Sequence, residues 1–232
     1  MTDLFGFDLQ DGLESGHCAL CFAMARHTRR WLDSVWKEGR RDPETRKRFY
    51  ASGGFCPRHA WLLRELVGES DAAIADLYGH LADKDLARLH DELGRRRQRR
   101  RCADVLRREA DCSACTEETE ALPRKCVFLL ELLATDSGRE KYERSAGVCL
   151  LHLVDLLDAA EHVEGDSRYL LQDAQRRLSE LRGRVADYDR TRDYRWAHER
   201  RESDRQVCTE IIEQYVGAQP IVSPPTHLRR GR

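Results

Sequence analysis

Eight residues with metal-binding side chains form two similar patterns along this chain. In each pattern a Cys-x-x-Cys pair is followed about 35 residues later by a Cys-x-x-His step. The pairs and steps are Cys18-x-x-Cys21 with Cys56-x-x-His59, and Cys112-x-x-Cys115 with Cys149-x-x-His152. One Cys-x-x-Cys pair is weak evidence, because redox motifs share its spacing. Two complete sets of three thiolates and one imidazole indicate two structural metal sites.

The order of the motifs along the chain predicts one site in each repeat. Site 1 would consist of Cys18, Cys21, Cys56 and His59, and site 2 of Cys112, Cys115, Cys149 and His152. Residues three apart on a helix project from the same side, so both members of a step can reach one ion. Each step also falls at a predicted helix start, where free N–H groups and the helix dipole favour a thiolate.

The ligand types favour zinc, but they also allow a different kind of metal centre. Three cysteines and one histidine are a usual tetrahedral set for zinc, which predicts two Zn²⁺ ions. Cysteine and histidine also hold iron–sulfur clusters, so two such clusters are the alternative. Neither Cys-x-x-Cys pair continues directly into histidine, so c-type haem attachment is unsupported.

Apolar spacing, glycines and proline-led starts predict an all-α fold of two tandem pseudo-repeats, each with about four helices and a long fourth helix. The predicted helices cover residues 18–39, 42–53, 56–68 and 70–106, then 112–134, 137–145, 148–161 and 166–216. Pro123 should kink or delay the fifth of them. The predicted domains are residues 1–110 and 111–216, and residues 217–232, rich in proline and glycine, read as a flexible tail.

Composition narrows the class of protein. Charged residues make up 35% of the chain and the net charge is −1, so no overall positive charge attracts nucleic acid or an anionic membrane. We find no secretory signal pattern and no apolar stretch of about 20 residues that would span a bilayer. These observations predict a cytoplasmic protein without membrane association.

A local basic run could still bind phosphates. Six arginines stand within seven residues, namely Arg95, Arg96, Arg97, Arg99, Arg100 and Arg101. Acidic residues flank the run, which is more typical of a solvated helix face. The sequence contains no nucleophile elbow, phosphate loop or dinucleotide motif, so we identify no catalytic residue and leave enzymatic activity undecided, leaning against it.

The motifs resemble a prokaryotic family of unknown function that carries duplicated C-x-x-C and G-[FV]-C-x-x-H metal-binding motifs. The resemblance rests on the Cys-x-x-Cys pairs, on Asp42-Pro43 with Arg46, and on the stretch GFCPRHAW, and it covers residues 17–160. The second repeat departs from it, with Asp136-Ser137 in place of Asp-Pro and no proline after Cys149. It implies a metal-binding helical protein and no particular activity.

These patterns together predict a zinc-stabilised helical protein that acts as an interaction or adaptor module, through a protein partner or through self-association. The first alternative is an iron–sulfur redox or electron-transfer protein that uses the same eight ligands. The second is a zinc-stabilised nucleic-acid-binding regulator that uses the arginine run.

Overall fold

A computed structural model describes residues 4–67, 72–94, 108, 110–163, 165–199 and 206–218. These residues form ten α-helices and two short 3-10 helices and contain no strand, which confirms the all-α prediction. The α-helices are α1 (Leu4–Glu14), α2 (Ala19–Lys37), α3 (Pro43–Ala51), α4 (Pro57–Val67), α5 (Ala72–Gly94), α6 (Ser113–Leu133), α7 (Asp136–Arg144), α8 (Leu150–His162), α9 (Ser167–Arg192) and α10 (Gln206–Val216). The 3-10 helices are Gly39–Arg41 and Ala197–Glu199. Within the described ranges, no helix has the length and apolar character needed to cross a bilayer.

Side-chain caps explain where several helices begin. The Asp42 carboxylate accepts a hydrogen bond of 2.7 Å from the backbone N–H of Thr45, and Pro43 occupies the first turn of α3. The hydroxyl of Thr135 caps α7, and the carboxylate of Asp166 caps α9. Each cap satisfies one of the N–H groups that a helix start leaves unpaired.

Three elements differ from the sequence prediction. Helix α1 was not predicted at all. Helix α6 continues through Pro123 to Leu133 instead of starting late. The long last helix, predicted over residues 166–216, ends at Arg192, because the Asp193 carboxylate accepts hydrogen bonds from the backbone and guanidinium of Arg195. Such local bonds give the backbone an alternative to continuing the helix.

The chain divides into two compact units, and the division does not follow the predicted boundary between residues 110 and 111. Unit 1 combines Met1–Arg26 with Glu120–Arg232, and unit 2 is His27–Thr119. The chain passes from one unit to the other inside α2 and again inside α6. Each of these helices therefore begins in one unit and ends in the other. The buried apolar residues of α2 and α6 are accordingly shared between two separate cores.

Unit 1 has the larger core. Its fully buried side chains come from at least six helices and include Leu9, Leu20, Leu129, Tyr142, Leu156 and Leu170. The same unit also buries an ion pair, in which Lys125 Nζ lies 3.5 Å from Asp8 Oδ2. Arg26 provides a second cation, 3.4 Å from Asp8 Oδ1. Buried charges of this kind need a partner, because a lone ion in a low-dielectric interior is costly.

Unit 2 is organised around aromatic rings. Phe49 of α3 makes edge-to-face contacts with Phe55 and with Tyr78 of α5, both at a centroid distance of 5.3 Å. Trp31 of α2 contacts Phe55 from another side, at 6.3 Å. The aromatic cluster therefore holds α2, α3 and α5 around the segment that leads into α4.

Candidate metal centres

Four ligand atoms converge in unit 1. The sulfurs of Cys18, Cys21 and Cys149 each lie 3.4 Å from Nδ1 of His152. The Cys21 and Cys149 sulfurs are 3.9 Å apart. Cys18 and Cys21 lie at the start of α2, and Cys149 and His152 at the start of α8. We call these four residues the Cys18 group.

A second set of four converges in unit 2. Nδ1 of His59 lies 3.4 Å from the sulfurs of Cys56 and Cys115 and 3.6 Å from the sulfur of Cys112. The Cys56 and Cys115 sulfurs are 3.7 Å apart. These residues lie at the starts of α4 and α6. We call them the Cys56 group.

The structure therefore brings together the eight predicted residues but exchanges their partners. The tandem assignment had joined Cys18 and Cys21 to Cys56 and His59, which lie in the other unit. Each Cys-x-x-Cys pair instead meets the Cys-x-x-His step of the opposite repeat. In unit 1 a backbone hydrogen bond of 3.0 Å, from Ala19 N–H to Gly147 O, fixes the start of α2 beside the segment that leads into α8.

The spacing within each group suits one tetrahedral ion. Bonds of about 2.3 Å to sulfur and about 2.1 Å to nitrogen place tetrahedral ligands about 3.8 Å apart for two sulfurs and about 3.6 Å apart for sulfur and nitrogen. The observed separations are 3.7 and 3.9 Å between sulfurs and 3.4 to 3.6 Å between sulfur and nitrogen. In each group all four ligand atoms lie within 4.8 Å of one another. Either group can hold a metal ion without rearrangement of its ligands.

Helix starts supply part of the polarity at both centres, as the sequence predicted. The first cysteine of each Cys-x-x-Cys pair and of each Cys-x-x-His step directly precedes the first residue of a helix. These first residues are Ala19, Pro57, Ser113 and Leu150. In the Cys18 group the backbone N–H of Cys21 donates a hydrogen bond of 3.4 Å to the Cys18 sulfur. Unpaired N–H groups and the positive end of the helix dipole both stabilise a thiolate in this position.

Burial and hydrogen bonds shift the pKa values of the Cys18 group in different directions. Burial raises the pKa of the Cys18 thiol well above its usual value. Hydrogen bonds from Cys18 and Cys21 hold the pKa of the Cys149 thiol far below its usual value. Burial alone would lower the pKa of the His152 imidazole, but hydrogen bonds with Cys149 and Cys21 outweigh it and raise that pKa to about 10. Because ligands must lose their protons to bind a metal, uptake of an ion at this centre releases protons.

A carboxylate supports the histidine of the Cys56 group. Oε1 of Glu118 accepts hydrogen bonds from Nε2 of His59, at 3.1 Å, and from the hydroxyl of Thr28, at 2.7 Å. The guanidinium of Arg58 binds the other carboxylate oxygen. Burial raises the pKa of Glu118, but the hydrogen bond and charge of His59 and the charge of Arg58 outweigh it and lower that pKa. The ionised carboxylate fixes the imidazole with Nδ1 directed at the three sulfurs.

Sequence reasoning missed Glu118, although one signal for it existed. Glu118 follows Cys115 by three residues on α6, so the two side chains share a helix face. The repeat concealed this signal, because the corresponding position of the other pattern is Met24, an apolar residue buried in the core of unit 1.

The end of α10 covers the Cys18 group. Gly217 adopts a positive φ of 85°, and a Cβ atom there would lie 3.1 Å from the Cys21 sulfur. Ala218 is fully buried, and the Gln214 side chain donates a 3.3 Å hydrogen bond to the carbonyl of Val148. Residues 217 and 218 therefore do not belong to the predicted flexible tail, whose remaining residues 219–232 lie outside the described part of the chain. Glycine suits this position because its backbone can approach the sulfur closely.

Two further cysteines of the described residues do not join either centre. Cys126 is buried in the core of unit 1, and Cys208 is exposed on α10. The arginines at positions 95–101 lie outside the described residues, so their predicted nucleic-acid contacts stay a prediction.

A comparison with known protein families, curated proteins and solved structures finds no match for this chain.

Pairs of substitutions test the exchanged ligand partners. Cys18→Ser with Cys149→Ser alters one group, so we expect that variant to keep one of its two bound ions. Cys18→Ser with Cys56→Ser alters both groups and should lose both ions. Metal analysis after gel filtration measures the difference. The tandem assignment requires the opposite result for each pair, so the two variants serve as controls for each other.

The support from Glu118 is testable at the Cys56 group. Glu118→Gln should weaken one of the two metal sites by about 10- to 100-fold, the usual effect of removing a carboxylate that orients a ligand histidine. Competition with a chromophoric chelator measures both affinities. The matched control is Glu117→Gln, since Glu117 binds His27 at 2.9 Å and no ligand residue. Equal affinities in the two variants would show that Glu118 does not support the site.

Proposed function

We propose that the chain binds two single Zn²⁺ ions, one in each group, and that both ions are structural. The observation that supports this proposal is the pair of compact Cys3His sets, each with four protein ligands at tetrahedral spacing. A catalytic zinc site usually keeps one position for water or substrate, whereas a structural site is closed by four side chains. Both sets match the closed type.

The same spacing argues against iron–sulfur clusters. A cluster distributes its protein ligands over two or more iron atoms, so the ligands must stand around an inorganic core and not around one point. Here the four ligand atoms of each group lie within 4.8 Å of one another. That distance accommodates one ion and leaves no volume for bridging sulfides.

The proposed ions would hold helix starts together inside each unit. One ion would link the starts of α2 and α8, and the other the starts of α4 and α6. Structural zinc contributes about 10–16 kcal/mol of apparent binding energy in small zinc-finger peptides, which is as large as the whole stability of many domains. Cysteine ligands also need a reducing compartment, so we propose the cytoplasm as the location.

Metal analysis and spectroscopy of the purified chain test this proposal. After anaerobic purification we expect two equivalents of zinc per chain, no visible absorption and no acid-labile sulfide. Removal of zinc by a strong chelator should decrease helicity, and renewed addition of zinc should restore it. A brown protein with iron and acid-labile sulfide would instead establish the iron–sulfur alternative. Zinc loss without any change in helicity or melting temperature would refute the structural role.

We further propose that the module associates with a second copy of itself through α5. Leu86, Leu89 and Leu93 follow one another at helical spacing and are 63%, 38% and 87% exposed. An antiparallel pair of α5 helices would place Leu86 of one copy beside Leu93 of the other. Three leucines cover little area, so the association should be weak and concentration-dependent.

Sedimentation velocity over a range of concentrations tests this association. The wild-type chain should shift towards a dimer as its concentration rises, and Leu86→Glu with Leu93→Glu should keep it monomeric. Ile212→Glu is the control, because Ile212 is equally exposed, at 60%, but lies on α10. A chain that stays monomeric at every concentration, or a control that behaves like the double variant, would contradict the proposal.

A further inference from the structure

The two groups differ in how far solvent reaches their cysteine residues. In the Cys18 group the three cysteines are 8%, 0% and 2% exposed, in chain order. In the Cys56 group all three cysteines are only partly buried, although His59 is fully buried. Both histidines are fully buried, so the difference lies in the cysteine residues.

The structure shows why the Cys18 group is protected. The backbone of Gly217 lies against its sulfurs, Ala218 is fully buried beside it, and α10 is fixed to Val148 through Gln214. A thiolate reacts with an electrophile only where the electrophile can reach it, and exposed thiolates are the ones that peroxides oxidise. The cysteines of the Cys56 group meet this requirement more fully than Cys18 and Cys149, which line a cavity but are only 8% and 2% exposed.

We propose that the Cys56 group is an oxidation-sensitive zinc site that peroxides open, while the Cys18 group keeps its ion. The inference rests on the proposed function, since it requires zinc in both groups. The reacting pair is Cys56 and Cys115, whose sulfurs are 3.7 Å apart and stand at the starts of α4 and α6. Their oxidation to a disulfide would remove two of the four ligands and release the ion.

The reaction balances with one peroxide per disulfide. One thiolate attacks a peroxide oxygen, an S–O bond forms, the O–O bond breaks and the hydroxide that leaves is protonated to water. The other thiolate then attacks the sulfur of this sulfenic acid, an S–S bond forms, and a second hydroxide leaves and is protonated. The two sulfurs lose two electrons in total and the peroxide gains them. A dithiol reductant reverses the step by thiol–disulfide exchange.

The ion that leaves is the one that holds α4 and α6 together. The remaining members of the group, His59 and Cys112, are two ligands and cannot form a closed tetrahedral site by themselves. The new disulfide still joins Cys56 to Cys115, so the two helix starts stay connected while the coordination is lost. Oxidation would therefore change the metal content of unit 2 without separating its helices.

Zinc release from the full chain tests the proposal. The zinc-loaded protein, with Cys102→Ser and Cys208→Ser to remove two thiols outside both groups, is treated with hydrogen peroxide in the presence of a metallochromic indicator. We expect rapid loss of one of two zinc equivalents and much slower loss of the other. Peptide mass spectrometry should find a disulfide between Cys56 and Cys115, and dithiothreitol with added zinc should restore the second equivalent.

The outcomes separate this inference from the function on which it rests. A starting protein without two zinc ions would refute the proposed function before peroxide is added. Two zinc ions released at the same rate, or a disulfide that forms first between Cys21 and Cys149, would overturn the inference alone. These measurements use the unaltered ligands, so they do not depend on whether a ligand variant folds.

Discussion

The convergence of two helix starts on one point is the arrangement on which the rest of this structure depends. Each group takes two ligands from each of two helices, and each ligand pair stands where the backbone N–H groups are still unpaired. Three thiolates within hydrogen-bonding distance would repel one another in the ionised form. Helix dipoles and the imidazole offset part of that negative charge, and the proposed zinc ions would offset the rest.

The two centres share this arrangement and differ in what surrounds it. Unit 1 surrounds its sulfurs with apolar side chains and with the backbone that follows α10. Unit 2 supplies a carboxylate, a hydroxyl and a guanidinium around His59, and leaves the three cysteines partly exposed. A duplicated ligand set can thus serve one environment that is largely apolar and another that orients a ligand through polar contacts.

Sequence reasoning could identify the ligands because cysteine spacing is a local property. The helix starts at Pro43 and Pro57 were equally readable, since a cap and a fixed φ act within a few residues. The sequence could not predict which Cys-x-x-His step joins each Cys-x-x-Cys pair, because both assignments satisfy the same spacing. The choice depends on which helix starts pack together, and α2 and α6 each contribute their two ends to different cores. Glu118 was missed because it occurs in only one of the two patterns, whereas the prediction used the residues that both patterns share.

The exchanged ligands have a consequence for synthesis on the ribosome. The contact between Cys56 and Cys115 spans 59 residues and lies wholly inside the 128-residue span between Cys21 and Cys149. The inner set is therefore complete in the nascent chain before the outer one, and an N-terminal fragment that ends before Cys112 contains two half-sites and no whole one. Once the inner loop is closed, the outer loop is effectively shorter. Bringing Cys21 and Cys149 together then costs less conformational entropy. Nesting thus couples the two closures, whereas two consecutive sites would close independently of each other.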